Sequence, residues 1–354
     1  MKGYVMRISQ AQNILVESFK GQLDNPNGRD ATNIICHLQA KSGTGKSTVV
    51  KDTAVKLSTD NEKWVTYILS LAQMDAAEIA GVIFMQGDDA ARSKPFWLVQ
   101  IEKLSTENHA VILFLDELPQ APVSNMNVAA QLVYERRIGD YRLPDNVVMV
   151  SAGNKKSERA GTNNMPWHLV ERLVFLDIDV DVDDAVAYLS SVGVSSVITG
   201  FIRYRPELIS KVDRDNNQGS SPRAYERLNT ILNMNLNEVD KREAVASMVG
   251  DGICAELYGF MKVHNELVSF EDIVANPMSA KISEDPAVNY ALSSLISSKV
   301  NDNNIGAVIQ YINRLPHQEF AVLTMKDAIS RTPSIKSTKE FRAWALTNAK
   351  ALVA

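Results

Sequence analysis

The sequence predicts an α/β core built on a parallel sheet, followed by a helical second half. Three observations carry this. Short, near-continuous apolar runs alternate with helical patterns over the first half, as strands covered on both faces do. A glycine-rich segment, Lys41-Ser42-Gly43-Thr44-Gly45-Lys46-Ser47, lies between the first run and the next helix, where a phosphate-binding loop belongs. From about residue 181 the strand signal fades and helical periodicity dominates.

Taken in order, residues 8–20 place Ile8, Ala11, Ile14, Leu15 and Phe19 on one helical face, and the turn-rich "GQLDNPNGRDA" follows. Residues 33–38 read as a strand. Residues 46–58 read as a helix with Val49, Val50, Ala54 and Leu57 inward. Further strands are expected at 64–71 (WVTYILSL), 110–115 (AVILFL), 146–152 (NVVMVSA) and 173–178 (LVFLDI). The run "DIDVDVDD" marks an exposed linker or a helix start, which closes a core spanning 1–180. The polar stretch 213–222 is a loop ending at a proline that opens a new helix. A helix at 338–350 aligns Phe341, Trp344, Ala345 and Ala349 for packing on its own domain, with partner docking as the second possibility.

Composition narrows the function classes. At 354 residues the chain is long enough for two or three domains. Hydrophobic residues at 45% and charged residues at 22% are ordinary globular values. A net charge of −5 argues against a general nucleic-acid binder, whose affinity comes from cations on phosphates. Cys36 and Cys254 read as small buried hydrophobes in a reduced, cytoplasmic protein. The histidines show no metal-ligand spacing. The N-terminus lacks a signal-peptide core, and no apolar run approaches the ~20 residues that span a bilayer. A soluble protein is expected.

The glycine-rich segment has the parts that phosphate binding needs. Glycines let successive N–H groups turn toward a phosphate, Lys46 supplies charge, and Ser47 supplies a hydroxyl for Mg²⁺. Ser42, Gly43, Thr44, Gly45 and Thr48 complete the loop and first helical turn. Ala40 stands where the G-x-x-x-x-G-K-[ST] pattern has its first glycine, and alone the segment also reads as a plain strand-to-helix turn. In "HAVILFLDELPQAP" the pair Asp116-Glu117 ends an apolar strand, the edge where parallel sheets bind ligands. Asp116 suits a Mg²⁺ shell and Glu117 a general base; a solvated strand cap is the bland alternative. In "NVVMVSAGN" Asn154 ends a strand and can bond water or phosphate, or simply form a turn with Gly153.

Together these pieces resemble the AAA+ ATPases, more closely the MoxR-like branch. The resemblance runs from the phosphate loop to residue 226 through "LFLDELPQAP", "LVYERRIGDYRLPDNVVMVSAGN", "MPWHLVERLVFLDIDVD" and "SPRAYE" in that order. It implies an ATP- and Mg²⁺-dependent hydrolase whose helical part divides into a lid at 181–275 and an extension at 276–354. It makes Asn154 the sensor-1 residue and Arg172 a finger that acts on the neighbouring subunit's nucleotide, with Arg159 a more distant candidate. It makes Arg223 the sensor-2 arginine. Arg136 and Arg137 read as structural or interfacial. Leu173 departs from the family's usual phenylalanine after the finger.

The resemblance further implies a homo-oligomeric ring, hexameric in this family, which remodels or activates a client or an adaptor with a von Willebrand factor A domain. Residues 72–96 and "IGDYRLPDN" are similar to insertions near the pore. Phe84 and Met85 there could grip a client, though apolar residues in such a setting commonly belong to a core. Two other classes stay open: a DNA-directed motor such as a helicase loader, and an ATP-switched scaffold with little turnover.

Overall fold

The computed structural model describes residues 5–26, 34–155, 162–213, 216 and 218–349, and the chain divides into two units, Met1–Asp179 and Val180–Ala354. The first unit opens with helix α1 (Ile8–Asp24), strand β1 (Cys36–Ala40), α2 (Lys46–Leu57) and β2 (Trp64–Ser70). Next come α3 (Ala76–Ala80), a hairpin of β3 (Ile83–Gln86) and β4 (Asp89–Arg92), α4 (Phe96–Glu107) and β5 (Ala110–Asp116). Helix α5 (Val123–Glu135), a hairpin of β6 (Arg137–Ile138) and β7 (Tyr141–Arg142), β8 (Val147–Asn154), α6 (Trp167–Val170) and β9 (Val174–Asp177) complete it.

The central sheet has the order β2-β5-β8-β1-β9, and every pairing in it is parallel. Its register aligns the strand ends. Ser70 pairs with Asp116, Ala40 with Asn154, and Gln39 with Asp177. The strand-final residues Ser70, Asp116, Asn154 and Asp177 therefore bring polar groups from four strands to one carboxyl edge.

Alternation along β5 explains why its sequence is apolar throughout. Val111, Leu113 and Leu115 enter one core with Trp97, Ile101, Met126 and Ala129 of α4 and α5. Ala110, Ile112 and Phe114 enter the other with Leu15, Phe19, Val49 and Val50 of α1 and α2. All six β5 side chains are fully buried. Each larger one contributes about 1.5–3 kcal/mol of transfer free energy.

The structure refines several sequence expectations. Strand β1 begins at Cys36, after Ile34 and Ile35, and runs on through Ala40; position 33 of the expected strand lies outside the described residues. Ile14 is more exposed than its helical face suggests, whereas Ala11, Leu15 and Phe19 are buried. The β3–β4 and β6–β7 hairpins are strands that the sequence pattern did not announce. Phe84 and Met85 lie on the first, 45% and 67% exposed, so they are not core residues.

The second unit is helical: α7 (Val182–Ser191), α8 (Ser196–Tyr204), α9 (Pro222–Leu232), α10 (Glu238–Val249), α11 (Asp251–Asn265), α12 (Phe270–Ala275), α13 (Pro286–Lys299), α14 (Ile305–Ile312), α15 (Gln318–Arg331) and α16 (Lys339–Thr347). A two-residue antiparallel pairing, Val212–Asp213 with Gln218–Gly219, is its departure from helix. Asp181 caps α7 by accepting from the Asp184 N–H at 3.1 Å, which gives the aspartate run its structural role. Ser221 caps α9 from the Ala224 N–H, with Pro222 in the first turn as expected. Arg203 of α8 pairs with Asp327 of α15 at 2.6 Å and with Asp183 of α7. Phe341 and Trp344 of α16 are buried in their own unit. No helix among the described residues is long and apolar enough to cross a membrane.

Candidate active site

The site is assembled where β1 passes into α2. Gly43 and Gly45 adopt φ of 75° and 100°, a region that L side chains rarely enter, so these two positions need glycine. Ala40 is different. It is the last residue of β1, fully buried, and outside the set of positive-φ residues, so its methyl group carries no backbone strain. Thr44 steadies the loop by donating to the Lys41 carbonyl at 2.8 Å. Helix α2 then begins at Lys46, and its first N–H groups and dipole face the loop, a favourable arrangement for an anion. Ser42 is exposed, and Thr48 lies partly buried in the first turn.

Lys46 Nζ donates to Asn154 Oδ1 at 2.9 Å and to the carbonyls of Lys41 and Ala40 at 3.0 and 3.2 Å. Ser47 Oγ donates to Asp116 Oδ2 at 3.2 Å. Burial pushes the Asp116 carboxyl above its ordinary range, while the Glu117 N–H and Ser47 hydrogen bonds oppose the rise. The Glu117 N–H bonds Asp116 Oδ1 at 2.9 Å, so the adjacent carboxylates are tied through the backbone.

Glu117 has φ 55° and ψ 30°, one of two non-glycine residues with positive φ among those described. Such a conformation is costly for a side chain this size and persists only when its surroundings enforce it. It turns the chain from β5 into the Leu118–Gln120 turn, which passes close to β8. A Cβ on Gly153 would lie 2.1 Å from Pro119 Cδ. Gly153 is thus required by close approach rather than by turn geometry.

Hydrogen bonds bring Lys46, Ser47, Asp116, Glu117 and Asn154 into one connected neighbourhood. Three further participants lacked a motif. Ser70 donates to Glu117 Oε2 at 3.2 Å. Its signal was available: a polar residue at the end of an apolar strand whose neighbour ends in Asp116. Lys155, next to Asn154, pairs with Asp177 at 2.5 Å. His37, fully buried in β1, has Nδ1 2.9 Å from Ser151 Oγ, while Nε2 is buried without a hydrogen-bond partner. Burial first, and the Lys46 charge second, pull its pKa down to about 3, so the ring is neutral.

Arg172 follows α6 and stands apart from this cluster. Its guanidinium carbon lies 4.2 Å from the Tyr134 ring centroid, and Nη1 donates to the His168 carbonyl at 2.5 Å. Leu173 is buried in the core beside it. Arg136 is buried and donates to the carbonyls of Pro144 and Val147 at 3.0 and 2.7 Å, a structural role, while exposed Arg137 pairs with Glu135. Arg223 belongs to the second unit, exposed in the first turn of α9. Arg159 lies outside the described residues.

No family model matches the chain, and no curated protein does. Among solved structures it is similar to C. elegans PCH-2, at 16% identity over 71% of this chain and 66% of that one, with TM-score 0.39. It is similar to a Thermotoga maritima RuvB mutant, at 13% identity over 77% and 76%, with TM-score 0.37. It is also similar to Aeropyrum pernix ORC2, solved as ADPNP–ADP complexes, at 10% identity over 92% and 87%, with TM-score 0.40. At such low identity and TM-score, the functional reading rests on the residues of this chain.

Proposed function

We propose that this chain is an AAA+ ATPase of the MoxR-like kind, which hydrolyses ATP in a ring and uses the resulting motion to remodel or activate a partner protein. One observation carries the reading: Lys46, Ser47, Asp116 and Asn154 meet through hydrogen bonds at the ends of neighbouring parallel strands, beside a left-handed glycine loop. Parallel sheets bind ligands at this edge. A decorative strand-to-helix turn has no reason to gather a lysine, a hydroxyl, a carboxylate and an amide there.

The contacts of Lys46 are exchangeable. Its ammonium is held by carbonyl oxygens and an amide oxygen, which phosphate oxygens would replace with a stronger, charge-assisted bond. Ser47 and Asp116 offer the hard oxygen donors that Mg²⁺ prefers, so the pair fits that ion. Bound there, Mg²⁺ supplies neutralisation of phosphate charge. Glu117 is the base that takes a proton from the attacking water, and Asn154 orients that water or the terminal phosphate. Arg172 is the finger for the next subunit's nucleotide, and Arg223 is the arginine assigned to the nucleotide of its own chain. A head-to-tail contact of this kind repeats until it closes into a ring. The exposed hairpin residues Phe84 and Met85 are suited to touching a client, and a von Willebrand factor A protein is one kind of partner to seek.

The test is turnover and ATP binding in defined variants. Lys46→Ala should not bind ATP; Glu117→Gln should bind it without turnover; Arg223→Ala should bind it more weakly yet still assemble. Mixing inactive Arg172→Ala with inactive Glu117→Gln should restore partial activity, because some interfaces then pair an intact base with an intact finger. Wild-type turnover by Glu117→Gln overturns the base. A dilute monomer at full specific rate overturns the ring. Pull-down with Glu117→Gln, loaded with ATP, identifies the client.

A further inference from the structure

Resting on the reading of Arg172 as a finger for the neighbouring subunit, we propose that Tyr134 is the residue that positions it. Tyr134 is a half-exposed aromatic in the last turn of α5, and the Arg172 guanidinium lies over its ring at 4.2 Å. This is within the range of a cation–π contact. The guanidinium carbon sits over the ring, which offers no acceptor oxygen to the five N–H donors, and the His168 carbonyl accepts from Nη1.

The choice of an aromatic platform matters for a group that must deliver charge elsewhere. A carboxylate partner would neutralise the guanidinium and compete with phosphate. Glu135 lies close enough to feel the Arg172 charge, but it accepts its hydrogen bonds from Arg137 at 2.6 Å and from Gln131 at 3.1 Å. A ring orients the long side chain without offering a competing anion, which lessens the rotamer entropy lost when the finger engages.

Both supports of the stack are anchored. Arg136 ends α5 in the left-handed region, its N–H bonded to the Leu132 carbonyl, and its buried guanidinium fixes that helix end to the segment leading into β8. On the other side, Leu169 and Leu173 bracket Arg172 and are both buried in the same core. The short α6 and the end of α5 thus hold Tyr134 and Arg172 at a set separation, and Arg172 is only partly buried.

The experiment compares steady-state kcat and KM for ATP in wild type, Tyr134→Phe, Tyr134→Ala, Arg172→Ala and the double variant Tyr134→Ala/Arg172→Ala, with thermal melts to check folding. Arg172→Ala is expected to lower kcat by about 10³–10⁵. Tyr134→Ala is expected to lower kcat by about 2–5-fold with KM unchanged, the rate equivalent of an exposed cation–π contact. Tyr134→Phe should retain wild-type kcat, because phenylalanine keeps the ring face. The double variant should match Arg172→Ala. A further loss in the double variant, or an equal loss in Tyr134→Phe, overturns the positioning role, since the tyrosine would then act independently or through its hydroxyl. Unchanged kcat in Tyr134→Ala while Arg172→Ala collapses overturns it too, and leaves the finger standing. If Arg172→Ala itself turns over normally, the finger reading fails and the positioning role falls with it.

Discussion

Lys46 Nζ reaches across from the start of α2 to Asn154 Oδ1 at the end of β8, a 2.9 Å bond between residues 108 positions apart. The sheet makes this possible, because β1 and β8 pair in register with Ala40 opposite Asn154. The bond sets the amide oxygen toward the cation, which leaves the amide N–H₂ as the donor side. Asn154→Ala should therefore spare ATP binding, which Lys46 and the loop N–H groups supply, and lower kcat by about 10²-fold, the cost of losing one oriented polar group. Equilibrium binding and single-turnover rates separate the two effects. A loss of affinity with unchanged kcat would make Asn154 a binding residue instead.

Glu117 is held from two sides, by its own left-handed backbone and by the Ser70 hydroxyl. Removing the hydroxyl leaves the carboxylate free to rotate. Ser70→Ala is expected to lower kcat by about 10-fold and leave ATP affinity unchanged, since small misplacement of a catalytic group is costly in rate. Ser70→Thr keeps the hydroxyl and should recover much of the loss. Equal kcat in Ser70→Ala and wild type would show that the backbone alone orients Glu117.

Gly153 offers a purely steric prediction. A methyl group there would meet Pro119 Cδ at 2.1 Å and Cγ at 2.4 Å, and a proline ring is a poor candidate for yielding. Gly153→Ala should destabilise the first unit by about 1–3 kcal/mol, the usual cost of overpacking. It should also disturb turnover, since Pro119 follows Glu117 by two residues. Denaturant midpoints test the first part; an unchanged midpoint means that the Leu118–Gln120 turn moves freely away from β8.

Much of the core was legible because its signals are local. Continuous apolar runs gave β5 and β8 nearly to their ends, and the glycine loop located the start of α2. The Asp116-Glu117 pair falls at a strand end, as expected from its sequence neighbours. What stayed hidden was set by contacts distant in sequence. Ser70 meets Glu117 only because β2 and β5 pair end to end, and Tyr134 meets Arg172 across 38 positions. The beginning of β1 is set later than the apolar run suggests: Ile34 and Ile35 have the apolar character of a strand, yet pairing with β9 starts only at Cys36. The β3–β4 hairpin was missed for the opposite reason: Ile83, Phe84 and Met85 are all exposed, so no alternation of buried and exposed residues marks them.

His37 makes the last prediction, a pH dependence whose sign follows from burial. The imidazole is fully enclosed in β1, shares a hydrogen bond with Ser151, and lies near the positive Lys46. Its folded pKa is about 3 against 6.5 for the free side chain. Below 6.5 the unfolded chain takes up a proton that the folded chain refuses, so stability falls as pH drops and keeps falling until about 3. Between pH 7 and 5 this one group should cost about 2 kcal/mol. His37→Asn keeps a polar group near Ser151 but does not titrate, so its stability should change less over the same interval, by about that amount. The measurement is chemical denaturation of both proteins at several pH values, with the difference in free energy plotted against pH. A difference that stays flat from pH 7 to 5 would mean that the folded protein protonates His37 as readily as the unfolded chain does, which a sealed site beside an ammonium group does not permit.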